Sequence, residues 1–90
     1  MAAGDRVVVI KNRQGLHARP IAMIAQAAAK FSSALRIEVD GREVDGRSIL
    51  QLMTLCASQG KSMMLRAVGE DASQLIDMVA GIVESGFGED

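Results

Sequence analysis

Aromatic side chains are almost missing from these 90 residues: Phe31 and Phe87 are present, with no Trp and no Tyr. Recognition of nucleic-acid bases by stacking is therefore disfavoured. The formal net charge of −1 leaves no basic footprint for nucleic acid and no polybasic patch for anionic lipid. Cys56 is the single cysteine and His17 the single histidine. One cysteine cannot close an internal disulfide, and the pair cannot build a zinc site from the usual ligands, so neither metal nor cofactor is expected. A small domain in an oxidising compartment usually needs covalent staples, and their absence favours the cytoplasm. The segment Met1–Asp5 lacks the basic and apolar regions of a signal peptide. No apolar run approaches the ~18 residues that a membrane span requires.

What is there is ordinary for a globular chain, with 49% hydrophobic and 23% charged residues. The length suits one domain spanning residues 1–90. Six methionines fill core space that aromatics would otherwise occupy. Arg6–Ile10 is a short β-branched run and reads as a strand. After a polar loop, Pro20 sits in the first turn of a helix, where a missing N–H is harmless. Ile21, Ile24, Ala25, Ala28 and Phe31 make one apolar stripe along it. Leu35, Ile37 and Val39 alternate as a half-buried strand does, and Asp40-Gly41 is a type I′ hairpin signal leading to a short strand at Arg42–Val44. Ser48 and Gln51 have capping-box spacing before a short, mostly apolar helix containing Ile49, Leu50, Leu52, Met53 and Leu55. Ser62–Val68 reads as a fourth strand. Asp71-x-x-Gln74 is expected to cap a last helix with the stripe Leu75, Met78, Val79, Ile82 and Val83. The order βαββαβα predicts an α+β fold, with helices on one face of an antiparallel sheet.

One cluster carries chemistry: Gly15-Leu16-His17-Ala18-Arg19-Pro20. His17 lies just before a helix start fixed by Pro20. The backbone N–H groups of Ala18 and Arg19 there lack intrahelical acceptors and form a candidate anion hole. The positive end of the helix dipole favours an uncharged imidazole, and a neutral histidine is a covalent nucleophile. The guanidinium of Arg19, two residues on, matches phosphate geometry. A nucleophile, an anion hole and a cation are the parts that phosphoryl transfer needs. A lone histidine near a helix start is ordinarily just a polar position, and His-x-Arg alone is a weak signal. Gly15, His17, Arg19 and Pro20 together at a strand-to-helix junction of a βαββαβα chain are a stronger one.

Gly15-Leu-His-Ala-Arg-Pro20 resembles the active-site motif of the HPr-type histidine phosphocarriers of the bacterial phosphoenolpyruvate-dependent phosphotransferase system. The likeness runs from about Val7 to Val83, and Ser48-Ile-Leu-Gln-Leu-Met53 is similar to the segment opening the family's second helix. The resemblance implies a phosphohistidine on Nδ1 of His17, received from enzyme I and passed to an enzyme II A-type domain. It implies that Arg19 steadies the phosphate, and that the fold is an open-faced β-sandwich with sheet order 1-4-2-3. Gln14 departs from the pattern, because many members carry a small polar residue there that would cap the helix or orient the ring. The acidic ending resembles both the nitrogen-related carriers (NPr) and Gram-positive carriers, so sugar uptake and the nitrogen-related branch stay open.

A carrier suits the chain better than a stand-alone enzyme. There is no acidic dyad, no second histidine and no Walker-type phosphate loop. Specificity must come from docking larger partners. Helix 2 is apolar on more than one face, so part of it is expected to stay exposed beside the reactive residue. Ala22, Ile49, Leu50 and Met53 also correspond to family docking positions. Ser48 reads first as an N-cap. The matching serine in one branch of the family is phosphorylated by HPr kinase/phosphorylase, and about −1.5 to −2 of charge there would oppose docking of enzyme I. The alternative function is accordingly a regulatory interaction protein controlled through Ser48. A ligand- or RNA-binding βαββαβ module ranks below both. Cys56 is expected to be a buried small hydrophobe, Glu84–Asp90 a solvated, frayed end, and the working unit a monomer.

Overall fold

Period-2 patterning places the strands. The structure, a computed structural model, describes residues 2–89; Met1 and Asp90 lie outside the described residues. The elements are β1 (Ala2–Val9), α1 (Ala18–Ala28), β2 (Ala34–Val39), β3 (Arg42–Asp45), α2 (Ile49–Met53), β4 (Ser62–Gly69) and α3 (Ala72–Glu84), followed by a 3₁₀ turn at Gly86–Gly88. The four strands form one antiparallel sheet in the order β1-β4-β2-β3. Leu35, Ile37 and Val39 all face the core, as do Met63, Leu65 and Ala67 of β4. Val7, Val9 and Val68 point to the other, open face and are exposed. Asp40 and Gly41 both have positive φ, 52° and 82°, as a type I′ turn requires. β1 begins four residues before the predicted strand, because the register with β4 continues to Ala2↔Gly69. Ile10, the predicted strand end, lies past β1 yet remains buried, its N–H donated to Lys61 O.

The helices cover the other face. α1 buries Ile21, Ile24, Ala25 and Ala28, while Phe31 sits beyond its end and is half-buried. α3 buries Ala72, Leu75, Ile76, Val79, Ala80 and Val83. Its apolar face is therefore rotated from the predicted stripe: Met78 is exposed and Ile82 partly buried. α3 packs against β1 and β4 of the sheet and against α1.

Two caps differ from expectation. Ser48 Oγ accepts the N–H of Gln51, as predicted, but the Gln51 side chain turns outward and accepts the N–H of Asp45 instead of completing the box. Asp71 precedes α3, but its side chain makes no cap bond there. Its carboxylate reaches across to the α1–β2 connection, accepting the N–H groups of Ser32 and Ser33, each at 2.9 Å, and the Ser33 hydroxyl. These bonds, that from Ser33 Oγ first, lower the Asp71 pKa from 3.8 to about 2. Because the folded value lies below the unfolded one, the stabilisation is complete above about pH 4 and is lost as pH falls through about 2. Asp71→Asn is expected to lower the melting temperature at pH 7 and to flatten its pH dependence between about pH 4 and pH 2. Parallel curves for both proteins over that range would contradict this account.

Cys56 is not the buried small hydrophobe expected. It is exposed and has φ 48°, with its thiol against Met53 O at 3.7 Å. The chain must turn sharply after α2, which carries this side chain outward between buried Leu55 and Ala57.

Candidate active site

The loop before α1 is built to hold one backbone shape. Gly15 adopts φ +66°, a conformation that favours glycine. A β-carbon there would lie 2.6 Å from Ala57 O and 2.8 Å from Ser58 Cα. Leu16 N–H donates to Ala57 O at 2.8 Å, and buried Asn12 donates from Nδ2 to Gly15 O at 2.8 Å. His17 then takes an extended conformation as the N-cap residue, and its carbonyl accepts the N–H of Ile21 at 3.0 Å. Ala18 and Arg19 open the helix and Pro20 follows as its third residue, so the predicted helix start holds.

The His17 side chain is about one-third exposed, neither sunk in the core nor fully solvated. Its Nε2 lies 2.7 Å from Oε1 of Glu89. The same Oε1 accepts from Asn12 Nδ2 at 2.8 Å, and Oε2 accepts from Arg19 Nη1 at 3.0 Å. Arg19 Nη1 also donates to Phe87 O at 2.8 Å. Ring and guanidinium thus converge on one carboxylate. The Glu89 pKa lies below the ordinary carboxylate value, chiefly through the His17 contact and then the Asn12 bond. Among the described residues Nδ1 has no hydrogen-bond partner and α1 has no side-chain cap; Gln14 is exposed, and Asn12 bonds Gly15 O and Glu89 and touches neither the ring nor the helix start.

Sequence reasoning misses Glu89 and Asn12 as site residues. A frayed tail is the expectation, but the described part folds back, with Phe87 completely buried and Gly86, Phe87 and Gly88 all at positive φ. Phe87 is the available signal. In a chain with two aromatics, a phenyl ring has more to gain from the core than from water. Once it is buried, the glutamate two residues on has little room except beside Arg19.

The remaining candidates divide in two. Leu52 and Leu55 are buried, whereas Ile49, Leu50 and Met53 are 49%, 79% and 55% exposed. Ala22 is half-buried on α1, which packs against α2. Ser48 is half-buried at the start of that helix. Among the described residues no group of three or more His, Cys, Asp or Glu could hold a metal ion, and no helix is long and apolar enough to cross a membrane.

Comparison with known proteins gives this arrangement a context. A family described as "PTS HPr component phosphorylation site" matches residues 5–85. The phosphocarrier protein HPr of Xylella fastidiosa (strain 9a5c) is 37% identical over 86 residues, covering 96% of this chain and 97% of the relative. A multiphosphoryl transfer protein of Haemophilus influenzae is 35% identical over 88 residues, 94% of this chain but 18% of that longer protein. Among solved structures, HPr from Thermoanaerobacter tengcongensis superposes with a TM-score of 0.92 at 41% identity, covering 97% of this chain and 98% of the other. With the sheet order, the three helices and the family match in agreement, this chain belongs to the HPr family of phosphocarriers of the phosphotransferase system.

Proposed function

We propose that His17 is the phosphoryl-bearing residue of this carrier, with the bond to phosphorus made at Nδ1. It would accept the group from phospho-enzyme I and pass it to an enzyme II A-type domain. The observation that carries this reading is the partly exposed ring at the start of α1, with its Nδ1 unpartnered among the described residues. Arg19 is the phosphate-steadying cation in this proposal. The guanidinium shares the Glu89 carboxylate with the ring, on its Nε2 side, and the cation beside the imidazole that results supports that role. The first N–H groups of α1, on Ala18 and Arg19, supply the partial positive charge. Incubation with enzyme I and phosphoenolpyruvate, followed by peptide mapping, is expected to find one acid-labile, alkali-stable phosphoryl group on the peptide containing His17. Recovery on any other residue would overturn the assignment.

The exposed side chains of Ile49, Leu50 and Met53, with Ala22 on the neighbouring helix, are proposed as the docking patch. Met53 suits a surface that meets several partners, because its side chain repacks easily. The working unit is proposed to be a cytoplasmic monomer. Ser48 begins the same helix, which supports the reading in which HPr kinase/phosphorylase adds charge to that patch. Ser48→Asp keeps an N-cap acceptor and adds the charge. It is expected to leave the melting temperature unchanged and to slow phosphoryl uptake from enzyme I by about tenfold. Uptake at the original rate would remove Ser48 from the regulatory picture.

A further inference from the structure

Glu89 is placed as a carboxylate partner to a reactive imidazole. The ring has two nitrogens, and the contact at 2.7 Å engages only Nε2. A carboxylate is an acceptor, so the nitrogen facing it must carry the proton. In a neutral ring the lone pair is then left on Nδ1. Glu89 is itself held from two further directions, by Asn12 Nδ2 on Oε1 and by Arg19 Nη1 on Oε2. The segment carrying it is anchored by the buried Phe87 ring and by the Arg19 bond to Phe87 O. A side chain fixed this way constrains both the tautomer and the tilt of the imidazole, as outer carboxylates do for metal-bound histidines.

We propose that Glu89 is a positioning residue for phosphoryl transfer: it holds the Nε2–H form of His17 and so presents the Nδ1 lone pair to the incoming phosphorus. This inference rests on the reading of His17 as the acceptor and adds what selects the nitrogen. In the transfer step the Nδ1 lone pair forms the N–P bond. The bond from phosphorus to the donor's leaving atom breaks, and that atom keeps the electron pair. Nε2 retains its proton throughout, so the phosphorylated ring is cationic, and the Glu89 carboxylate lies against that new charge. Glu89 touches neither the phosphoryl group nor Nδ1; it acts through the ring.

His17 being the only histidine, the ring nitrogens of uniformly ¹⁵N-labelled protein can be assigned without ambiguity. Two variants separate orientation from charge. Glu89→Ala removes the acceptor, and Glu89→Gln keeps an amide oxygen that can face Nε2–H. At a pH where the ring is neutral, the wild-type chain is expected to show a protonated-type Nε2 resonance and a bare Nδ1. Glu89→Ala is expected to move both toward exchange-averaged values and to slow phosphoryl uptake by roughly tenfold. Glu89→Gln should restore the wild-type nitrogen shifts and most of the rate. Unchanged nitrogen shifts and an unchanged rate in Glu89→Ala would overturn the proposal while leaving His17 as the acceptor. A wild-type chain phosphorylated elsewhere would overturn the acceptor reading, and the nitrogen shifts would still decide whether Glu89 sets the tautomer.

Discussion

His17→Ala is expected to reduce phosphoryl uptake from phospho-enzyme I to background, a loss of more than about a thousandfold. The chain holds no second histidine to take over, and its one thiol, Cys56, lies on a different segment with its own contact to Met53 O. The fold should survive. Backbone bonds from Leu16 to Ala57 and from Ile21 to the residue 17 carbonyl do not use the imidazole, and the side chain lies partly in water. A melting temperature near that of the wild-type chain, together with absent uptake, separates chemistry from stability. The variant should also free Glu89 from one of its three side-chain partners among the described residues, leaving Asn12 and Arg19 in place. Persistent uptake by a folded His17→Ala chain would remove the assigned nucleophile altogether.

Gly15→Ala is expected to be the most destabilising single-methyl change near the site, by about 2–5 kcal/mol, which combines left-handed strain with overpacking. The added carbon meets main-chain atoms of Ala57 and Ser58, not the end of a flexible side chain. One of the two segments must therefore move. The bonds Leu16 N–H to Ala57 O and Asn12 Nδ2 to Gly15 O would lengthen together, and His17 would shift with them. Against a typical total of about 5–15 kcal/mol, such a loss is large. Gly60→Ala is the appropriate comparison. Gly60 also has positive φ, +89°, but an added methyl there would meet nothing within 4 Å, so only the strain of about 1–2 kcal/mol should appear. Urea midpoints measured on both variants test the difference. Equal shifts would mean that contact with residues 57 and 58 contributes nothing.

Regular patterning is legible in this sequence and side-chain reach is not. Leu35, Ile37 and Val39 announce their strand because alternate side chains must face one layer, and the structure buries all three. Asp40-Gly41 specifies its turn because both residues tolerate positive φ. The Gly15–Pro20 motif likewise places His17 at the helix start. Asp71 misleads because a carboxylate before a helix has two sets of donors within reach, the helix's own N–H groups and those of a loop distant in sequence. Sequence spacing reveals the first set only, and Ser32 and Ser33 hold the carboxylate. Cys56 misleads because thiols are usually buried, while here the turn after α2 decides its direction. Glu89 escapes notice for a related reason. Acidic residues near glycines suggest solvation, and only the burial of Phe87 carries this one back across the fold to Arg19.

The sheet order also bears on how the chain reaches its native state. β2 and β3 are joined by a two-residue turn and can pair within about 1–10 microseconds. β1 has no such neighbour: its partners in β4, from Val9↔Ser62 to Ala2↔Gly69, lie more than fifty residues away along the chain. β4 also pairs with β2, so this one late strand joins both sides of the sheet. Loop-closure entropy must be met before those contacts form, which is expected to slow folding relative to helical bundles of its size. Lesions in β4 should therefore slow refolding more than lesions in the β2–β3 hairpin do, and a ribosome must release most of the chain before the first strand finds its place.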